Sequence, residues 1–158
     1  YWIIKTSPIS ANRLLAAKFL TAFIPATLLG WIFITVMGIL QRPPLSVILY
    51  GYPAVALILA GLAGLNLAFG VAGARLDWTD PRRMSSGASG CLSAVVSIVY
   101  LVISLVFFFG PPVGLPIFEV PVWVSQFIGL ILGGALSITC ALFPPYYVRD
   151  RVYKIGEA

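Results

Sequence analysis

The stretch VILYGYPAVALILAGLAGLNLAFGVA, from Val47 to Ala72, decides the fold. It contains no charged residue, and Asn66 is its only carboxamide. A helix needs roughly 20 apolar residues at about 1.5 Å rise per residue to cover a hydrocarbon core about 30 Å thick. This stretch can cross a bilayer with residues to spare, so it must tilt or project.

Working outward, three further uncharged apolar stretches run from Phe19 to Leu40, Cys91 to Phe109 and Val122 to Phe143. A soluble fold would have to bury four such helices in a chain of 158 residues that is 60% hydrophobic and carries five acids. Composition of that kind belongs to membrane proteins. The expected fold is an all-α integral membrane protein, a bundle of four transmembrane helices with both ends cytoplasmic. Residues 1–18 form a cytoplasmic or interfacial lead-in, 19–143 the transmembrane region, and 144–158 a cytoplasmic tail.

The orientation follows from the basic residues, because Lys and Arg in short connectors resist translocation. Lys5, Arg13 and Lys18 precede the first span, Arg75, Arg82 and Arg83 lie between the second and third, and Arg149, Arg151 and Lys154 follow the fourth. These nine of the ten bases are placed inside. The other connectors hold Arg42 alone and, from Gly110 to Pro121, no base, so they face outward. Trp2, Trp78, Tyr146 and Tyr147 fall at the inner boundary, and Tyr50, Tyr52, Phe107, Phe108 and Trp123 at the outer one.

The net charge of +5 is scattered over three short segments and makes no basic stripe. Anionic lipid is the expected counterion, and nucleic acid is not a partner. There is no histidine, and Cys91 and Cys140 without further ligands make a poor zinc site. They read as small apolar fillers, so neither a metal nor a catalytic group is assigned. The chain starts Tyr1-Trp2-Ile3-Ile4 and shows no signal-peptide pattern, which reads as a piece of a longer protein.

Ser7 and Pro8 suit the start of a helix entering the membrane. Pro25 removes a backbone donor within the first span, and Thr21 or a neighbouring helix is expected to meet the freed carbonyl. Along the second span, Ala56, Ala60 and Gly64 recur at helical spacing, ahead of Asn66. In lipid, small residues that let backbones approach and side chains that hydrogen-bond across helices drive association. Ala60, Gly64 and Asn66 are therefore expected to be helix-packing residues.

The third span places Ser93, Ser97, Tyr100 and Ser104 on one face, and the fourth places Gln126, Gly129, Gly133 and Ser137 on another. Such faces turn away from lipid. An interhelical seam accounts for both, with Gly129 and Gly133 as packing positions. Alternatively, Ser93, Ser97, Tyr100, Gln126 and Ser137 line a translocation path for a mildly polar amphiphile. No acid or base lies within any span, which argues against a proton-coupled transporter or an ion channel.

The outer connector from Gly110 to Pro121 is short and proline-rich, and reads as a stiff cap at the interface. The inner connector from Arg75 to Gly87 holds two acids and three bases beside Trp78. Its mixed charge fits an ordered element that docks on a protein as well as it fits a solvated turn.

The motifs Trp-Ile-Ile-Lys-Thr-Ser-Pro-Ile-Ser at residues 2–10 and Arg-Leu-Leu-Ala-Ala-Lys at 13–18 belong with Gly-Ala-Arg-Leu-Asp-Trp-Thr-Asp-Pro-Arg-Arg at 73–83. Together they resemble the membrane (permease) subunits of bacterial type-2 ATP-binding cassette exporters, in the branch whose exporter role is assigned by similarity alone. The resemblance covers Trp2 to Gly90. It implies the C-terminal part of a longer permease in the bacterial cytoplasmic membrane, driving outward transport of an unassigned substrate. It also implies that Asp77, Trp78, Asp80, Arg82 and Arg83 face a P-loop ATPase partner that carries the ATP, with the rest of the permease or a second copy alongside.

The sequence contains no Gly-x-x-x-x-Gly-Lys-Ser/Thr phosphate cradle, so ATP chemistry is not expected in this chain. Two other classes compete with the transporter. A structural or assembly subunit would use the same small-residue seams. A membrane-embedded lipid enzyme would need a histidine, metal or paired carboxylates with a suitable base, and only Asp77 and Asp80 form a pair.

Overall fold

The computed structural model describes residues 11–72 and 88–148. Among them it is all-helical, with four long apolar helices able to span a membrane and no strand. They are α1 (Ala11–Gln41), α2 (Leu45–Ala72), α3 (Ala88–Gly114) and α4 (Val122–Val148), with a short 3-10 turn at Leu115–Phe118 before α4.

Local chemistry sets the joints. Arg42 takes a left-handed conformation, with φ 47°, and its N–H reaches the Gly38 carbonyl at 3.0 Å. This ends α1 in a left-handed cap, and Pro43 and Pro44 stop any continuation. Pro44 then accepts the Val47 N–H at 2.9 Å as α2 begins. The second outer joint uses the same devices: Glu119 is left-handed, with φ 64°, and the Pro121 carbonyl accepts the N–H groups of Val124 and Ser125 at the head of α4.

The connector from Gly110 to Pro121 is more helical than its prolines suggest. α3 continues through Pro111 and Pro112 to Gly114, and the 3-10 turn follows directly. A proline interrupts a helix by withholding its own N–H from the carbonyl four residues back. The helix can continue where something else meets that carbonyl.

The helix α2 is the hub. It packs most extensively on α4, then on α1 and α3, while α4 also packs on α3. About a third of the most apolar window of α2 is buried, against 6% of that of α1, so α1 sits at the periphery. Leu29, Ile32, Phe33 and Ile39 of α1 point outward, as do Leu92, Val106, Ile131 and Leu142 of α3 and α4. Helices apolar on every side are suited to lipid. The inner cluster is small: Tyr50, Ala54, Ile58 and Leu65 of α2 with Tyr100 and Phe108 of α3.

Trp31 and Tyr52 fasten α1 to the hub. Their rings meet edge to face at 6.0 Å, and the Trp31 Nε1–H donates to the Tyr52 carbonyl at 3.1 Å. Thr35 gives its hydroxyl proton to the Trp31 carbonyl and lies 2.8 Å from the Tyr52 hydroxyl, which therefore supplies the proton of that contact. Thr21, expected to serve the carbonyl exposed by Pro25, instead donates to Ala17 at 2.7 Å. That carbonyl lies one turn back along its own helix, where a threonine hydroxyl reaches most readily.

Candidate functional site

Several polar side chains of α2, α3 and α4 lie along one seam between these helices. Near the end of α2 that leads to the inner connector, Asn66 Oδ1 accepts from Ser93 at 3.1 Å and from Ser97 at 3.3 Å. Two hydroxyls one helical turn apart reach one carbonyl oxygen because residues i and i+4 share a face.

One turn further along α3, the buried Tyr100 hydroxyl lies 3.1 Å from the Ile58 carbonyl of α2 and 3.0 Å from Ser137 Oγ of α4. The carbonyl can only accept, so Tyr100 gives its proton there and Ser137 supplies the other. One phenol thus joins three helices. Gly61 makes this possible, since a Cβ there would collide with the Tyr100 hydroxyl.

At the opposite end of the seam, the Tyr50 hydroxyl donates to the Phe108 carbonyl. Pro112 stands four residues beyond Phe108 and has no N–H to give it. The Tyr50 phenol replaces that missing donor, which supports α3 where it runs on through Pro112. A Cβ on Gly129 would come within 2.7 Å of both the Phe108 oxygen and the Tyr50 hydroxyl, so a glycine from α4 leaves room for the bond. Gly133, one turn along, lies flat against the Phe108 ring.

The carbonyls of Cys140 and Ala141 on α4 present the same problem, because Pro144 and Pro145 follow them by four residues. Both oxygens lie close to Gly64, where a Cβ would stand 2.7 Å from each. The backbone of α2 therefore approaches α4 at the place where the α4 ladder is broken.

The residues singled out from the sequence thus fall into three groups. Gly64, Asn66, Ser93, Ser97, Tyr100, Gly129, Gly133 and Ser137 lie in this seam. Ala60 and Gln126 are half-buried beside it, and Ser125, next to Gln126, is fully buried and donates to Pro121. Asp77, Trp78, Asp80, Arg82 and Arg83 lie outside the described residues. Sequence reasoning missed Tyr50 and Phe108, which it placed at the outer boundary as interfacial aromatics. The signal was present in Pro112, which leaves the Phe108 carbonyl without an intrahelical donor.

The polar groups of the seam are hydroxyls, one carboxamide and backbone carbonyls, and no cluster of three metal-binding side chains occurs among the described residues. Ser104 Oγ and Thr27 Oγ1 are buried with no hydrogen-bond partner. A separate apolar groove of about 250 Å³ opens between the first turns of α1 and the last turns of α2 and α4.

A family model described as "Putative ATP-binding cassette" matches residues 1–143, which includes the seam and nearly all of the four helices. The chain belongs to this ATP-binding cassette family. It is thereby tied to an ATP-binding cassette transporter system, and its four apolar helices are consistent with membrane association. No curated protein and no solved structure is significantly similar to it.

Membership corrects the assignment drawn from the short motifs. The family is described by its nucleotide-binding cassette, which overturns the identification of the chain as a permease subunit of a type-2 exporter, and with it the function of moving a substrate outward. Apolar spans and basic inner connectors are imposed by the bilayer on any membrane chain, so they support membrane association without separating one role from another. The segments that gave the resemblance its detail, residues 2–10 and 73–83, lie outside the described residues.

Proposed function

We propose that this chain is a membrane-embedded component of an ATP-binding cassette system, which holds its assembly in the bacterial cytoplasmic membrane while a P-loop ATPase partner carries the ATP. The family match carries this reading, because it extends across four apolar helices in a sequence that contains no phosphate cradle. A cradle needs backbone N–H groups left free at a glycine-rich loop and helix start, with a lysine beside them. Helices in lipid spend those groups on their own ladders.

On this reading the chain does no chemistry of its own. Its seam keeps the bundle together, and Asp77, Trp78, Asp80, Arg82 and Arg83 supply the contact to the ATPase. A second reading, favoured by the family's description, is that nucleotide binds to this chain itself.

Photolabelling with an azido-ATP analogue separates the two. The tagged full-length parent would be purified from its native membranes in mild detergent, labelled, and mapped by mass spectrometry. Label on a co-purifying P-loop chain is expected. Label within these 158 residues that excess ATP displaces would sink the proposal and establish the second reading.

A further inference from the structure

We infer that the groove between α1, α2 and α4 holds one acyl chain of an anionic phospholipid whose head group is gripped by Arg13 and Lys18. The walls are apolar: Leu15 and Phe19 of α1, Leu67 of α2 and Pro145 of α4, with Asn12 at the rim. At about 250 Å³ the groove is smaller than the roughly 300–1,000 Å³ of sites that enclose a whole drug-sized molecule. It suits a segment of one chain, with the remainder of the lipid lying in the bilayer.

Charge complementarity selects the head group. Asn12, Leu15, Ala16 and Phe19 recur at intervals of three, one and three, which is a single helical stripe facing the groove. Arg13 and Lys18 lie to either side of that stripe, both exposed, and no acid occurs on α1. The groove lies within the first two turns of α1, so an acyl chain seated along it carries its phosphate towards the start of the helix, where the long side chains of Arg13 and Lys18 can extend to meet it. Basic groups beside a span attract anionic lipid head groups.

The inference goes beyond the proposed role and depends only on the helices lying in a bilayer. Its test is a native mass-spectrometric titration of the delipidated full-length protein in mild detergent. The probes are phosphatidylglycerol and phosphatidylcholine with identical acyl chains. One phosphatidylglycerol should be retained at least tenfold more tightly than phosphatidylcholine. Ala16→Phe and Leu142→Trp, two exposed lining positions where added bulk fills the groove and displaces no core residue, should each lower that retention at least tenfold. Arg13→Gln with Lys18→Gln should bring phosphatidylglycerol down to the level of phosphatidylcholine.

Equal retention of the two lipids by the unmodified protein would overturn the inference, and that comparison needs no variant to fold. So would undiminished phosphatidylglycerol binding in either filled variant. Alkaline carbonate extraction of native membranes tells the two proposals apart: a chain released by carbonate ends the membrane reading itself, whereas a retained chain without lipid preference ends only this site.

Discussion

The hydroxyl of Tyr50 on α2 donates to the backbone carbonyl of Phe108 on α3, the carbonyl that Pro112 leaves without an intrahelical donor. Two helices are joined at a point where one of them is chemically incomplete, and Gly129 of α4 closes over the contact. In hydrocarbon there is no water to satisfy the oxygen, so the phenol is worth more here than a hydroxyl that adds to an intact ladder.

This relationship predicts an unusual coupling. Tyr50→Phe alone should destabilise the bundle by about 1–2 kcal/mol, in the upper part of the range for interhelical hydrogen bonds in membranes. Pro112→Ala restores an N–H four residues beyond Phe108, so Tyr50→Phe in that background should cost less than about half as much. A double-mutant cycle read by denaturant unfolding in detergent micelles measures the difference. Equal costs in both backgrounds would show that the phenol does not substitute for the proline's missing donor.

A second prediction concerns the three-helix contact at Tyr100. Tyr100→Phe removes both hydroxyl bonds and should cost about 1–2 kcal/mol, while Ser137→Ala removes one and should cost about 0.5–1. The double variant should cost less than the sum, because the Ser137 bond is already lost with the phenol. Strict additivity in the same unfolding assay would mean that the two hydroxyls act separately.

Ser104 gives a contrast within the same helix. It is fully buried and its hydroxyl has no partner, so its desolvation is uncompensated. Ser104→Ala should therefore be neutral or stabilising by up to about 1 kcal/mol, opposite in sign to Ser137→Ala. A loss of more than about 0.5 kcal/mol would show that the Ser104 hydroxyl has a partner in the membrane.

Gly64 and Gly70 lie on the same helix in opposite circumstances. A Cβ at Gly64 would press into the backbone of Cys140 and Ala141, whereas one at Gly70 meets nothing within 4 Å. Backbone does not move aside as a flexible side chain does, so Gly64→Ala should force α2 and α4 apart at a cost of about 1–3 kcal/mol. Gly70→Ala should cost nothing. Comparable melting temperatures for the two variants would refute the close approach.

How much of this was legible in the sequence varied with the physics involved. Hydropathy is a property of single residues in lipid, so the four helices could be read directly from uncharged length, Asn66 from being the one carboxamide of its span, and Ser93 and Ser97 from their helical spacing. Tyr50 could not be read that way. An aromatic residue near a helix end suits an interface on composition alone, and its partner is a backbone atom 58 residues away. The helicity of the outer connector was hidden for a related reason, since whether two prolines end a helix depends on what meets the carbonyls they release. The role assigned from short motifs was overturned by the family match over residues 1–143, and hydropathy, which the bilayer imposes on any membrane chain, could not arbitrate between roles. The helix ends needed the cap geometry of Arg42 and Glu119, which a charged residue does not advertise.

The orientation remains a prediction from the basic residues, and single cysteines can test it directly. With Cys91→Ser and Cys140→Ala removing the native thiols, Ser46→Cys at the α1–α2 joint and Glu119→Cys at the α3–α4 joint should react with a membrane-impermeant maleimide on intact cells. Thr79→Cys, between Arg75 and Arg82, should react only after permeabilisation. The driving force is the cost of carrying Lys and Arg across the membrane during insertion, and nine of ten bases vote for the same side. The reverse labelling pattern would place Arg13 and Lys18 in the outer leaflet. The groove between α1, α2 and α4 would then face a surface whose anionic lipid content differs from that of the cytoplasmic leaflet, so the labelling result bears on the lipid that Arg13 and Lys18 can meet as well as on topology.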